Sequence, residues 1–278
     1  MSMDMPDLIR QRWTPPVWGA RTFVMGILNV TPDSFSDGGQ FASPINALGQ
    51  AQAMIREGAD LIDVGAESTR PGAEVIPDDE EIARLLPILE ALLEVLETPI
   101  SVDTYKASVA RKALEAGAHI INDIWGFQHD PDMAATVAEF GAGAVLMHNA
   151  RGADYDGDIV DEVKRFLEKS VQIATDAGVA PANIVLDPGI GFGKSVEQNL
   201  TLMRRLGELR SLGFPILLGA SRKSVIGKTL DLEVDQRLEG TIATSVVGVQ
   251  QGVDIIRVHD VQANLRAIRM ADAIYRHG

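Results

Sequence analysis

The strongest constraint on the fold is an alternation: short β-branched and apolar runs separated by stretches with helical periodicity. Eight such runs are present: "TFVMGILNV" (22–30), "DLIDVGAE" (60–67), "PISVDT" (99–104), "HIINDI" (119–124), "GAVLMH" (143–148), "IVLDPGI" (184–190), "PILLGAS" (215–221) and "DIIRVHD" (254–260). Most intervals read as helices, among them "PINALGQAQAMIREGA", "DEEIARLLPILEALLEVL", "YKASVARKALEAG" and "VDEVKRFLEKSVQIATDAG", and several close on glycine, a common helix stop. Near-continuous apolar strands need cover on both faces, and intervening helices provide it in a parallel sheet. Eight βα units in one domain predict an α/β fold, a closed (β/α)8 TIM barrel over residues 21–278 after an irregular lead-in over residues 1–20. The competing open doubly wound sheet lacks its fingerprint, because no G-x-G-x-x-G turn follows the first strand.

Almost every predicted strand ends in a group capable of chemistry: Asn29, Asp63 and Glu67, Asp103, Asn122 and Asp123, His148, Asp187, Ser221 to Lys223, and Arg257 with His259. A barrel gathers these ends on its C-terminal rim, where barrel enzymes place their sites. Polar residues do mark strand-to-loop transitions, but that does not account for charged groups inside several apolar runs. Composition narrows the partners. The net charge of -14 repels nucleic acid and anionic membranes, so an anionic substrate needs a local positive cluster. No cysteine is present, which removes disulfides, thiolate zinc and a cysteine nucleophile. The N-terminal "MSMDMPDLIRQRW" has no signal-peptide core, and no run approaches the roughly 18 apolar residues of a membrane helix. A soluble, cytoplasmic protein acting on small molecules is expected.

"DPGIGFGKS" (187–195) resembles a phosphate loop only superficially, since Pro188 stands where that template requires glycine. The run reads better as a glycine-rich turn that lets the backbone approach a ligand held by Asp187. Between Leu186 and Pro188, that carboxylate is expected to be partly buried and to need donors. A flat heterocycle with adjacent N–H groups would supply them; an internal helix cap is the other reading. "GASRKSVIG" (219–227) and "RVHDV" (257–261) follow the last two strands, a frequent phosphate site in barrels. They would bring together Arg222, Lys223, Arg257, His259, Ser221 and Ser224, unless these form a solvated basic surface. His148 is expected to be packed or structurally hydrogen-bonded, and without H-E-x-x-H a zinc site has little support. Asn29 and the carboxylates of the loop after it are oxygen ligands suited to Mg2+.

"GILNVTPDSFSDGG" (26–39), "DVGAESTRPGA" (63–73), "SVDT" (101–104), "IND" (121–123), "LDPGIGFGKS" (186–195), "GASRKSVIG" (219–227) and "RVHD" (257–260) resemble, in order and spacing, the motifs of the dihydropteroate synthase family. The resemblance covers nearly the whole chain after about residue 20, in the stand-alone form without a fused pyrophosphokinase or aldolase domain. It implies a transferase that displaces pyrophosphate from 6-hydroxymethyl-7,8-dihydropterin diphosphate with the amine of p-aminobenzoate, using Mg2+, in a homodimer. It implies that Asn29 is associated with the metal, and that Asp103, Asn122, Ile124, Met147, Asp187 and Lys223 line the pterin pocket. Arg257 and His259 would contact the diphosphate, with Thr69 a further candidate; Phe35, Thr69, Arg70, Pro71, Phe192 and Ser224 would surround p-aminobenzoate. Two segments depart from the family pattern, "NDIWGFQHD" (122–130) and "MHNARGADYD" (147–156).

The chemistry so implied asks for a neutralised leaving group, an oriented pterin and a stabilised cation at the pterin methylene. A dissociative course is expected, with pyrophosphate leaving first and Asp103 favouring the cation. The segments 31–39 and 68–73 would act as lids, with Asp33 and Asp37 addressing the metal-diphosphate. Two alternatives share the pterin barrel. One is a non-catalytic pterin-binding paralogue; the other is a methyltetrahydrofolate:corrinoid methyltransferase, which has no use for a diphosphate site.

Overall fold

The computed structural model describes residues 13–31, 43–68, 75–150, 155 and 157–276. All eight expected strands are present and parallel: β1 Phe23–Asn29, β2 Leu61–Gly65, β3 Ile100–Asp103, β4 Ile120–Asp123, β5 Gly143–Met147, β6 Ile184–Asp187, β7 Leu217–Leu218 and β8 Ile255–Val258. The sheet runs in the order β6-β5-β4-β3-β2-β1-β8-β7. A bridge between Leu186 and Ile216 joins its two edges, where the Leu186 amide donates to the Pro215 carbonyl at 2.9 Å. The sheet is therefore a closed barrel, and closure removes the exposed edges that an open sheet would have to protect.

The helices α1 Pro44–Glu57, α2 Asp78–Val95, α3 Ala107–Ala116 and α5 Ile159–Asp176 fall where the periodicity places them. Further helices complete the outer ring: α4 Met133–Phe140, α6 Val196–Arg204, α7 Ser224–Leu230, α8 Leu238–Gln250 and α9 Val261–Tyr275. Local chemistry sets their ends. Pro44 opens α1 and left-handed Gly58 closes it. The Asp158 carboxylate accepts from the Val160 and Asp161 amides to start α5. Ser195 and Gln198 form a reciprocal capping box on α6.

Strand seven is shorter than expected, two residues against the seven of "PILLGAS". Its continuation is drawn into the rim instead, where the Ser221 hydroxyl meets His259 Nδ1 at 2.9 Å.

Side chains alternate between two cores, as strand pleating requires. Outward residues such as Val24, Leu28, Ile62 and Val64 pack against Leu85, Ile88, Leu89 and Leu92 of α2 and its neighbours. Inward, at the N-terminal end, Met25, Leu61, Ile120, Val145, Val185, Leu217 and Ile255 form one layer. Trp13, in the lead-in, is buried in that same layer and closes the base of the barrel. A Cβ added at Gly143 would lie 2.9 Å from the Trp13 ring, so the glycine makes room for it.

Candidate active site

One pleat above that apolar layer, two residues further along each strand, the inward positions change character. Leu61 is followed by Asp63, Ile120 by Asn122, Val145 by Met147, Val185 by Asp187, Leu217 by Gly219 and Ile255 by Arg257. From β3 this level receives Asp103 at the strand's end. All of the charged members are buried except Arg257, which is half-buried.

Arg257 organises the centre. Its Nε donates to Asp63 Oδ2 at 2.6 Å and its Nη2 to Asp103 Oδ2 at 2.8 Å. The Asn122 amide donates to the same Asp63 oxygen at 3.1 Å. Burial works against the guanidinium charge, but Asp63 and Asp103 outweigh it and hold Arg257 above its ordinary value. Burial pushes Asp103 up to about 7, with Arg257 the main opposing influence. The Oδ1 atoms of Asp63 and Asp103 are buried and have no hydrogen-bond partner among the described residues. Buried acceptors in that condition are costly, which is a reason to expect a ligand's donors there. Small residues keep the space open. A Cβ at Gly65 would lie 3.5 Å from that of Asp103 and 3.9 Å from Asn29 Oδ1, and one at Gly219 would lie 3.7 Å from Asp187 Oδ2.

Asp187 is buried as expected, and it caps no helix. Its Oδ1 accepts from the Gly189 amide at 2.7 Å, inside the glycine-rich turn. Burial raises its pKa, with Lys223 opposing. Lys223 is itself lowered to about 8, chiefly by burial. Its ammonium donates to the Ile190 carbonyl and lies 4.4 Å from the centre of the Phe192 ring. Beside this polar side stands an apolar one: Tyr105, Ile124 and Met147, with Trp125 and Phe192 packed against them. The departing segment "NDIWGFQHD" contributes to that wall, where Trp125 stacks on His129 with ring centres 5.6 Å apart. Carboxylates, an amide and a lysine along one edge, with aliphatic and aromatic faces beside them, suit a flat heterocycle rich in N–H groups.

The expected positive focus is only partly assembled. Lys223 and Arg257 point into the barrel mouth, and His259 is tied to Ser221. Arg222 turns away, in a left-handed conformation (φ 55°), and forms a two-pronged pair with Asp260 at 3.0 and 2.6 Å. That bidentate pairing is the physical reason it does not join the others. Ser224 is exposed on the first turn of α7. Asn29 ends β1 near Asp103, across Gly65. Asp33, Phe35, Asp37, Thr69, Arg70 and Pro71 lie outside the described residues.

Two findings stand apart from the expected site. His148 is a packed rim histidine, with its ring centre 4.8 Å from that of Phe166, and burial lowers its pKa to about 3. Asp63, named among the strand-end groups but given no role by the resemblance, holds both Arg257 and Asn122. Its signal was available in the strand phase, because Asp63 follows Leu61 as Asn122 follows Ile120.

Such a rim defines a barrel enzyme that receives a flat, polar heterocycle, and the comparisons agree: residues 25–259 match the family described as pterin binding enzyme. The chain belongs to that family. It is 52% identical over 259 residues to the dihydropteroate synthase of Clostridium beijerinckii, covering 93% of this chain and 96% of the relative. With the dihydropteroate synthase of Bacillus subtilis it shares 50% identity over 277 residues, 100% of this chain and 97% of the relative. Among solved structures, a dihydropteroate synthase from Clostridium difficile, crystallised in the presence of pteroic acid, superposes with a TM-score of 0.92 at 54% identity. That superposition covers 94% of this chain and 99% of the solved one.

Proposed function

We propose that this barrel is a transferase of folate biosynthesis that joins 6-hydroxymethyl-7,8-dihydropterin diphosphate to p-aminobenzoate, giving 7,8-dihydropteroate and pyrophosphate. The observation that carries the reading is the inward polar layer of Asp63, Asp103, Asn122, Asp187 and Arg257, set against the Ile124–Met147 wall. Whole-length identity of about half to the two dihydropteroate synthases supports it.

In this reading Asp187 and Asn122 meet the donors and acceptors along the pterin edge. Met147 and Ile124 cover its faces, Lys223 fixes the end near the glycine turn, and Phe192 stands beside them for the arylamine. The bond between the pterin methylene and the diphosphate oxygen breaks, and its electron pair leaves with pyrophosphate. The neutral arylamine then forms the new C–N bond and releases its proton to solvent. Asp63 and Asp103 meet Arg257, while Asp187 is opposed by Lys223 and, more weakly, by Lys194. A carboxylate such as Asp103 held close to the methylene favours a cation there. Arg257 can keep Asp63 while exchanging Asp103 for a diphosphate oxygen, which leaves Asp103 free to face the cation.

The residues present fit Mg2+. Among the described residues no group of three His, Asp or Glu could cage a metal, but Asn29 offers one amide oxygen beside Asp103. Magnesium commonly takes one or two protein oxygens and completes its shell with phosphate oxygens and water. Bound there, it would neutralise the leaving diphosphate. His259 and Arg257 would share that charge. The excess of acidic residues and the absence of cysteine support a cytoplasmic setting. Among the described residues no helix is long and apolar enough to cross a membrane. A homodimer is carried over from the family resemblance alone.

The test is product formation. Purified protein with Mg2+ and both substrates is expected to yield 7,8-dihydropteroate by mass spectrometry, while the Asp187→Ala variant yields far less. A folded wild-type protein that makes no product under these conditions refutes the proposal.

A further inference from the structure

The turn between Asp187 and Ser195 contains three left-handed glycines, Gly189 (φ 66°), Gly191 (φ 85°) and Gly193 (φ 61°). Glycines grant conformational freedom, yet this turn must hold the Phe192 ring at a fixed place on the pocket wall. Four side chains restrain it. Asp187 binds the Gly189 amide at 2.7 Å and Lys223 binds the Ile190 carbonyl. Both also belong to the pterin pocket. The other two are Asn199 and Lys194. Asn199 Oδ1 accepts from the Gly191 amide at 2.7 Å, and its amide group donates to the Lys194 and Ser195 carbonyls at 3.2 and 2.7 Å.

Lys194 reaches back over the turn that precedes it. Its ammonium donates to the Gly189 carbonyl at 2.8 Å and to the Phe192 carbonyl at 3.1 Å, bridging the two ends of the segment that carries the ring. It does so at a cost: burial, together with the neighbouring Lys223 ammonium, lowers its pKa to about 7. A lysine held half-buried beside another cation, with carbonyls for partners, is poorly placed for a surface role. The site chemistry described above does not use it.

We propose that Lys194 is a positioning residue for the second substrate: by clamping the Gly189 and Phe192 carbonyls it fixes the aromatic ring against which the arylamine docks. This rests on the proposed function and adds to it a residue that touches neither substrate. Losing the clamp loosens the ring, while Asn122 and Arg257 keep their bonds to Asp63. Asp187 keeps the Gly189 amide and the stronger influence of Lys223, losing only the weaker one of Lys194. The effect should therefore fall on the amine and spare the pterin.

The experiment compares wild-type protein with Lys194→Met, which keeps the aliphatic stem and removes the ammonium, and with Lys194→Arg, which retains a donor. Steady-state kinetics are run with each substrate varied in turn, and amide exchange is followed over residues 189–193. For Lys194→Met the expected result is a KM for p-aminobenzoate raised about fivefold or more, with kcat and the KM for the pterin diphosphate within about twofold. Exchange at Gly191 and Phe192 should be faster, and Lys194→Arg should restore part of both. If Lys194→Met does not fold, Lys194→Gln replaces it with the same expectation. Equal loss on both substrates, or a lowered melting temperature with the amine KM unchanged, overturns the proposal. If the wild type makes no dihydropteroate, the functional reading fails separately. The clamp is then judged by exchange alone, and unchanged exchange refutes it.

Discussion

Removing the Asp63 carboxylate should show how much of the rim depends on it. Asp63 is fully buried, and its Oδ2 accepts from Arg257 Nε at 2.6 Å and from Asn122 Nδ2 at 3.1 Å. In Asp63→Ala the charged hydrogen bond contributes about 1.5–3 kcal/mol and the amide bond about 1 kcal/mol. Breaking one side of a buried ion pair costs about 3–5 kcal/mol in general, because the other charge is left behind. Here Arg257 keeps Asp103 at 2.8 Å, so the lower end of that range applies, about 3 kcal/mol. For a domain of this size, 1 kcal/mol moves the melting temperature by about 2–4 °C, so a fall of roughly 6–12 °C is expected. Asp63→Asn keeps an acceptor without the charge and should fall between wild type and the alanine variant. Calorimetric unfolding measures the shift, and titration with the pterin measures whether Asn122 has lost its orientation. A melting temperature within about 2 °C of wild type, with pterin affinity intact, would mean that the Arg257–Asp63–Asn122 cluster is not what holds the layer together.

Three further expectations follow from the same geometry. Asp187→Ala should weaken pterin binding by about tenfold or more, since unmet buried donors cost about 1–3 kcal/mol each; calorimetric affinity within twofold of wild type removes Asp187 from that role. Burial raises Asp103 to about 7, so its carboxylate form prevails above that pH and is lost as pH falls through it. kcat/KM should therefore climb between pH 6 and 8 with a midpoint near 7, and a flat profile there contradicts an ionised Asp103 in the rate-determining step. Lys106 binds the buried Glu67 at 2.5 Å and Glu81 at 2.7 Å, so Lys106→Met strands two carboxylates. A loss of about 3 kcal/mol or more in denaturant unfolding is expected, partly recovered by adding Glu81→Gln; no loss means that the ammonium does not hold this part of the fold together.

The strands were legible because a barrel strand is apolar on both faces, and the active rim because polar residues interrupt those runs at their ends. Asp103, Asn122, Asp187 and Arg257 were found in this way, and the pleat brings them to one level. Phe192, Ile124 and Met147 gather on one wall, an arrangement that depends on packing rather than on any local signal. Arg222 misled the reading because basic residues adjacent in sequence need not share a direction; left-handed geometry and Asp260 take it elsewhere. Asp63 stands out in the sequence as a charge inside an apolar run, but its hold on Arg257 and Asn122 is a tertiary contact that no local pattern shows. Trp13 gave no local pattern at all: its place at the base of the barrel comes from tertiary packing.

A carboxylate-rich pocket is expected to ionise the pterin diphosphate before the amine attacks. Pyrophosphate release from the Mg2+-bound pterin diphosphate, measured in a single turnover with and without p-aminobenzoate, tests it most directly. Slow release is expected without the amine, and faster release with dihydropteroate formation when the amine is present. Strict dependence of release on the amine would contradict it and would establish direct displacement.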